Sequence, residues 1–264
     1  MSFITLTTDF GLKDGNVGVM KGVIWRIAPH AKIADLSHLI SPQNVPEAAL
    51  ILARQAPFFP DGSIHVVVVD PGVGTNRRPI ACRIGSQYFV GPDNGVFTLV
   101  WENAERLGSL ISIVHLNKPH YWLPEVSHVF HGRDIFAPVA AHLAIGITLE
   151  ELGSPINDPL RLTISKPIPF ENGLRGEVIH IDHFGNIASN IFRHHLEKQP
   201  KITVQIGGLI INGLVRTFGE RPAGELVALY GSSGNLIISE VNGNAAQRLG
   251  VKVGDSIEVL FKGK

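Results

Sequence analysis

Three stretches of this chain combine acids, bases and glycines in a way that side-chain chemistry could use. They are Thr8-Asp9-Phe10-Gly11-Leu12-Lys13-Asp14-Gly15-Asn16, Asp70-Pro71-Gly72-Val73-Gly74-Thr75-Asn76-Arg77 and Phe130-His131-Gly132-Arg133-Asp134. The first two follow strand-like runs and the third precedes a helix-like one. In open α/β sheets, ligands bind beyond the carboxyl ends of the strands. One sheet edge would then gather carboxylates, an imidazole and two guanidinium groups. Each stretch also has a plainer reading. Asp9 and Asp14 could be turn and N-cap residues, Asp70-Pro71-Gly72 a turn beside a solvated Arg77, and His131 a structural histidine. Asp134 is expected to cap its helix whatever else occurs nearby.

Strand–helix alternation must position these groups. Phe3–Thr8 reads as a strand, and Val17, Met20, Ile24 and Ile27 recur at helical spacing until Pro29. Lys32–Leu36 is a second strand. Asn44, followed by Pro46 and Glu47, opens a helix through about Gln55. Val66–Val69 is a β-branched run of the kind buried on both faces of a parallel sheet. Ile80–Ile84 and Tyr88–Val90 flank Gly85-Ser86-Gln87 as a hairpin, Ile111–Leu116 is a further strand, and Asp134–Ile145 is a helix with Pro138 in its first turns.

Pro155, Pro159, Pro167 and Pro169 crowd the stretch that follows, a linker composition. Beyond it come short β-rich runs, two of them joined by Gly207-Gly208, with only a short helix around His194–Lys198. The fold class is therefore α/β: a mainly parallel-sheet domain over residues 1–166, then a small all-β, barrel-like domain over 167–264. Two loops of the second domain suit a ligand. Asp182-His183-Phe184-Gly185-Asn186 offers a carboxylate, an aromatic face and an amide. Tyr230-Gly231-Ser232-Ser233-Gly234-Asn235 has glycines that let backbone approach closely. Both could equally be simple hairpin turns.

Composition narrows the partners. Lys+Arg and Asp+Glu number 23 each, so no basic field points to nucleic acid and no charged apolar segment to a membrane. A signal peptide is not evident, and a cytoplasmic location is expected. Cys82 is the only cysteine and sits in the apolar run Ile80–Ile84, which makes it a core residue and excludes multi-thiolate metal sites. Gly72 and Gly74 make only part of a dinucleotide fingerprint, with Arg77 where a third glycine belongs. No histidine spacing, including His30, His65, His142 and His194-His195, suggests metal ligands.

These stretches, with Gly91-Pro92-Asp93-Asn94-Gly95 and the continuation Ile135-Phe136-Ala137-Pro138, resemble the S-adenosylmethionine hydroxide adenosyltransferase family, relatives of the fluorinase and chlorinase. The likeness runs in order along the whole chain. It implies an adenosine-forming hydrolase of S-adenosylmethionine that needs no metal or other cofactor, assembled as a homotrimer. It implies catalytic roles for Asp70, Arg77 and His131, with either Asp70 or His131 taking the proton. Asp9 would bond the ribose hydroxyls. Asp14, Asp182 and Ser232 would hold the methionine end, and Phe184, Asn186 and the Asn244-Ala245 backbone the adenine. Where the fluorinase has a tyrosine and a serine, this chain has Asp70 and Gly132; an anionic Asp70 would repel a halide and favour water. A metal-dependent phosphoesterase and a binding sensor with incidental turnover are the alternatives.

Overall fold

The computed structural model describes residues 2–197, 199 and 201–261. They form two compact units, residues 1–162 and 163–264. In the first, β1 (Phe3–Thr8), β2 (Lys32–Ser37), β3 (Ile64–Val68), β4 (Pro79–Ile84), β5 (Gln87–Pro92), β6 (Ile111–His115) and β7 (Ser154–Pro155) make one sheet in the order β2-β1-β3-β5-β4-β6-β7. The β2-β1-β3-β5 block is parallel, and β4, β6 and β7 extend it with antiparallel pairs.

Helices cover both faces. α1 (Asn16–Ile27) and α4 (Ala137–Ala144) pack on one, α2 (Val45–Gln55) and α3 (Thr98–Arg106) on the other. The period-two geometry of a strand explains the β-branched run. Val66 and Val68 enter the core with α1 and α4, while Val67 and Val69 enter the core with α2 and α3. α2 starts as its sequence requires, the Asn44 side chain accepting the Glu47 N–H at 3.1 Å. Cys82 is fully buried, and burial pushes its thiol up to about 12, so it packs and does not react.

The second unit is an antiparallel sheet of β8 (Ile168–Phe170), β9 (Gly173–Ile181), β10 (Ile187–Phe192), β11 (Ile202–Ile206), β12 (Leu209–Asn212), β13 (Leu226–Tyr230), β14 (Asn235–Glu240) and β15 (Ser256–Phe261). Its main path runs β12-β11-β15-β9-β10-β14-β13, with β8 beside β9 and the outer strands β12 and β13 in contact, so the barrel is nearly closed. Gly207 and Gly208, both at positive φ, make the β11–β12 turn.

Two expectations change. The barrel carries a second helix besides α5 (Arg193–Leu196), namely α6 (Ala245–Leu249); Lys198, at the end of the expected first one, lies outside the described residues. α6 is too short to show a period, although the Asn244 side chain caps it by accepting the Gln247 N–H at 2.8 Å. Asp134 does not cap its helix. Its carboxylate accepts the Ser127 N–H at 2.8 Å and the Arg133 guanidinium, so it ties the preceding loop instead.

His65 is a core residue of the parallel sheet. It lies opposite Thr5 on β1, 2.8 Å from its hydroxyl through Nδ1, and stacks on Phe89. Burial lowers its proton affinity from the ordinary value near 6.5 to about 4. The folded state then binds fewer protons than the unfolded state as pH falls between these values. Stability present above pH 6.5 is lost toward pH 4, by roughly 3 kcal/mol from this group alone. Denaturant titrations of wild type and His65→Gln across this window check it: the substituted protein should show the shallower pH dependence.

Candidate active site

Because β1, β2 and β3 are parallel, the loops leaving them emerge along one sheet edge. Asp9 follows β1, and Asp70 stands two residues beyond β3. The chain then arches through Gly72 and Gly74 to Arg77, just before β4. Gly74 adopts a positive φ of 76°, and a Cβ there would collide with the His128 carbonyl. Only glycine lets the arch lie down on the 128–131 segment.

His131 arrives from the opposite side. Residues Gly132–Phe136 form a π-helical turn that runs into α4, with His131 at its entry. Such turns are wider than an α-turn and often mark functional sites. Gly132 permits the approach, since a Cβ there would already be 3.1 Å from Val68 Cγ1 and 3.4 Å from Met20 Sδ. The turn is thereby pressed against the end of β3, beside Asp70.

Arg77 joins the two sides. Its Nε donates to Asp70 Oδ1 at 3.1 Å, its Nη2 donates to Asp70 Oδ2, and Nη2 also lies 3.0 Å from His131 Nδ1. The Asp70 and Arg77 side chains are only 4% and 6% exposed, and the guanidinium lies over the Phe136 ring at 5.4 Å. A guanidinium has no acceptor, so His131 Nδ1 must present its lone pair to Arg77 and the ring proton sits on Nε2. The ring is neutral in this arrangement. Burial, then the Arg77 charge, lowers its proton affinity below the ordinary histidine value, against smaller opposing effects of Asp70 and Asp134. Arg77 Nη1 is buried without a hydrogen-bond partner among the described residues.

The remaining residues divide between the units. Asp9 Oδ2 accepts the Gln43 N–H at 2.8 Å, Gln43 itself being held at a positive φ of 64°. Phe10 N donates to Thr8 Oγ1 at 3.2 Å, and that hydroxyl lies 2.9 Å from His38 Nδ1. Gly11 N donates to the His38 carbonyl at 2.8 Å. Gln43 thus holds the Asp9 carboxylate, while Thr8 and His38 fix the Phe10-Gly11 backbone that follows it, and sequence reasoning does not identify these supports. The available signal was that Thr8 and His38 fall at the ends of neighbouring parallel strands. Asp14 is exposed and does not cap α1, whose N-cap is Gly15 with no side-chain bond.

In the barrel unit, Asp182 shapes its own loop. Its carboxylate accepts N–H bonds from Phe184 (2.9 Å), Asn186 backbone (2.9 Å) and Asn186 Nδ2 (2.7 Å). This turn leaves Phe184 70% exposed. Gly185, at a positive φ of 83°, packs on the Asn244 side chain, and its carbonyl accepts the Ala246 N–H at 3.0 Å, so the Phe184–Asn186 loop and Asn244-Ala245 are neighbours. Ser232 is exposed in the β13–β14 turn. Ile187 pairs with Ile238 and Phe192 with Asn235, which puts Asn186 and Ser232 at opposite ends of β14, roughly 17 Å apart at strand rise. A ligand touching both must be elongated.

Comparison with known proteins agrees with this architecture. The SAM hydroxide adenosyltransferase N-terminal domain model matches residues 4–153, and the corresponding C-terminal domain model matches 176–258. The chain is 38% identical to an (R)-S-adenosyl-L-methionine hydrolase of Salinispora arenicola over 97% of each chain. It is also 38% identical to one of Thermus thermophilus, over 96% of this chain and 97% of that protein. A fluorinase of Actinoplanes sp. is 28% identical over 97% of this chain and 96% of its own. Among solved structures, an uncharacterized conserved protein from Thermotoga maritima superposes with a TM-score of 0.89 at 39% identity, over 98% of this chain and 100% of that one. With both domain models matched in order and relatives similar over nearly their whole length, the chain belongs to the SAM hydroxide adenosyltransferase family.

Proposed function

We propose that this chain hydrolyses S-adenosylmethionine to adenosine and L-methionine, and that its preferred substrate is the (R)-sulfonium epimer named in its relatives. The observation that carries this reading is the buried Asp70–Arg77 pair with the half-buried His131 against it at the sheet edge. It offers a water both donors and an acceptor in a site with little solvent. Arg77 Nη1 and His131 Nε2–H are available to donate to the oxygen. Asp70 accepts two bonds from Arg77 and keeps lone pairs for a water proton.

The reaction is an in-line displacement. A C5′–O bond forms as the C5′–S bond breaks, the electron pair goes to sulfur, and methionine leaves as a neutral thioether. The water proton passes to Asp70, because both nitrogens of His131 are already committed: Nδ1 to Arg77 and Nε2 to its own hydrogen. In this reading Asp70 is the acceptor and His131 orients the nucleophile. Alignment and exclusion of bulk water supply most of the acceleration, since the sulfonium is already a good leaving group.

The separation of the Phe184–Asn186 loop from Ser232 suits a substrate with adenine at one end and an amino acid at the other. Asp182 acts in this reading chiefly by presenting Phe184 and Asn186. Asp9 binds the ribose, and Asp14 the methionine end. The assembly is the homotrimer that the resemblance implies, in the cytoplasm. A metal-dependent phosphoesterase is disfavoured because a guanidinium occupies the side of Asp70 and His131 where a cation would bind.

Incubation of the protein with each sulfonium epimer, followed by chromatography of the products, tests the assignment. Adenosine and methionine in equal amounts, faster from the (R)-epimer and without 5′-chloro-5′-deoxyadenosine in excess chloride, are expected. Tight binding with no adenosine release would point to a sensor instead.

Substitution separates the roles. Asp70→Ala and His131→Ala should each slow kcat by roughly 10²–10⁴ with much smaller effects on substrate affinity. The double variant should be little worse than the poorer single one, because both act on one water. Steady-state kinetics of the three proteins decide this, and fully additive losses would contradict it.

A further inference from the structure

The Gly91-Pro92-Asp93-Asn94-Gly95 segment has no part in the chemistry above, yet it is heavily engaged. Sheet order supplies the reason. β5 lies between β3 and β4, and the 70–77 arch that carries Asp70 and Arg77 connects β3 to β4 over the end of β5. Residues 93 and 94, just past β5, therefore sit between the two feet of the arch.

Both feet are tied to them. At the entry, Asn94 Nδ2 donates to the carbonyl of Val69, the residue before Asp70, at 2.9 Å. At the exit, Arg78, the residue after Arg77, donates from Nε to Asp93 Oδ2 at 2.9 Å, and its Nη2 is 2.7 Å from the same oxygen. The Asp93 N–H donates to the Arg78 carbonyl at 2.9 Å. The other carboxylate oxygen of Asp93 accepts the Leu160 N–H at 2.8 Å, and Arg78 Nη1 reaches Asp158 at 2.8 Å. Asp93 is 1% exposed at its side chain, so these bonds form where water competes poorly.

The residue types fit these duties. Asp93 meets only donors with its carboxylate. Asn94 needs one of each kind: its amide donates to Val69, and its Oδ1 accepts the Val96 N–H at 3.2 Å. Exchanging the two side chains would set an amide against a guanidinium and a carboxylate against a carbonyl.

We propose that Asp93 and Asn94 are positioning residues that clamp both ends of the 70–77 arch and thereby set the reach of Arg77 to His131. The clamp acts through Asp70 and Arg77 and touches no substrate. It rests on the reading of those residues as the reacting set, and displacements near 1 Å at such a set can cost about 10²-fold in rate.

Two variants of the full chain test it: Asn94→Ala, which releases the entry, and Arg78→Lys, which keeps the charge but gives up the fork at the exit. Neither alters the net charge around His131, which faces Arg77, Asp70, Asp134 and His128. Each should lower kcat about 10- to 100-fold with KM within about threefold of wild type. NMR titration of the His131 ring in the substrate-free protein is the second readout. If Arg77 withdraws, the midpoint should move upward, because a nearby cation that disfavours imidazolium has been lost. Lowered melting temperature with wild-type kcat per folded enzyme and an unmoved His131 midpoint, in both variants, would overturn the proposal. The titration needs no turnover, so it decides the clamp even if S-adenosylmethionine proves not to be the substrate.

Discussion

A buried guanidinium carries five N–H donors and no acceptor, and its surroundings must supply the acceptors or leave donors stranded. Arg77 imposes this constraint on the sheet edge. Asp70 meets two of its donors, His131 contributes a lone pair only as a neutral ring, and Phe136 lies under the guanidinium plane. Three of its five donors are met in this way, the His131 tautomer follows from the contact with Nη2, and Nη1 is left facing the site without a partner among the described residues. Two glycines permit the close approaches around it. Gly74 lets the arch touch the 128 backbone, and Gly132 lets the turn touch Val68.

The barrel unit solves a different problem. Its loops expose an aromatic ring and an amide in fixed positions, with only the start of the short helix α6 to hold them. Asp182 does this by taking three N–H groups of the Phe184–Asn186 turn into one carboxylate, and Gly185 closes the turn onto Asn244. An exposed Phe184 costs solvation unless something stacks on it. Its placement beside Asn244-Ala245, at the far end of β14 from Ser232, gives the surface the length of an extended ligand rather than a compact one.

Much of this was legible in the residues, and the limits have physical causes. Val66–Val69 declared a central parallel strand, and Asn44 with Glu47 declared a helix start, because strand pleat and capping are local rules. Gly207-Gly208 marked its hairpin for the same reason. Asp70, Arg77 and His131 lie in stretches that residue type and position mark, and the family resemblance makes them one set, but their contacts span up to 54 positions in sequence and depend on packing. The π-turn is not legible because Gly132–Phe136 has the composition of an ordinary helix start, with Asp134 a residue type that commonly caps one. α6 is five residues long, too short for a period to register. The supports of Asp9 come from the ends of neighbouring elements, where no spacing rule operates.

The account stands on water being delivered to the ribose C5′ carbon by the Asp70–Arg77–His131 set. Reaction in ¹⁸O-labelled water with mass spectrometry of both products tests this most directly. Displacement at C5′ predicts adenosine carrying one ¹⁸O at O5′ and methionine without label. Unlabelled adenosine, or label at C1′ with free adenine released, would contradict it.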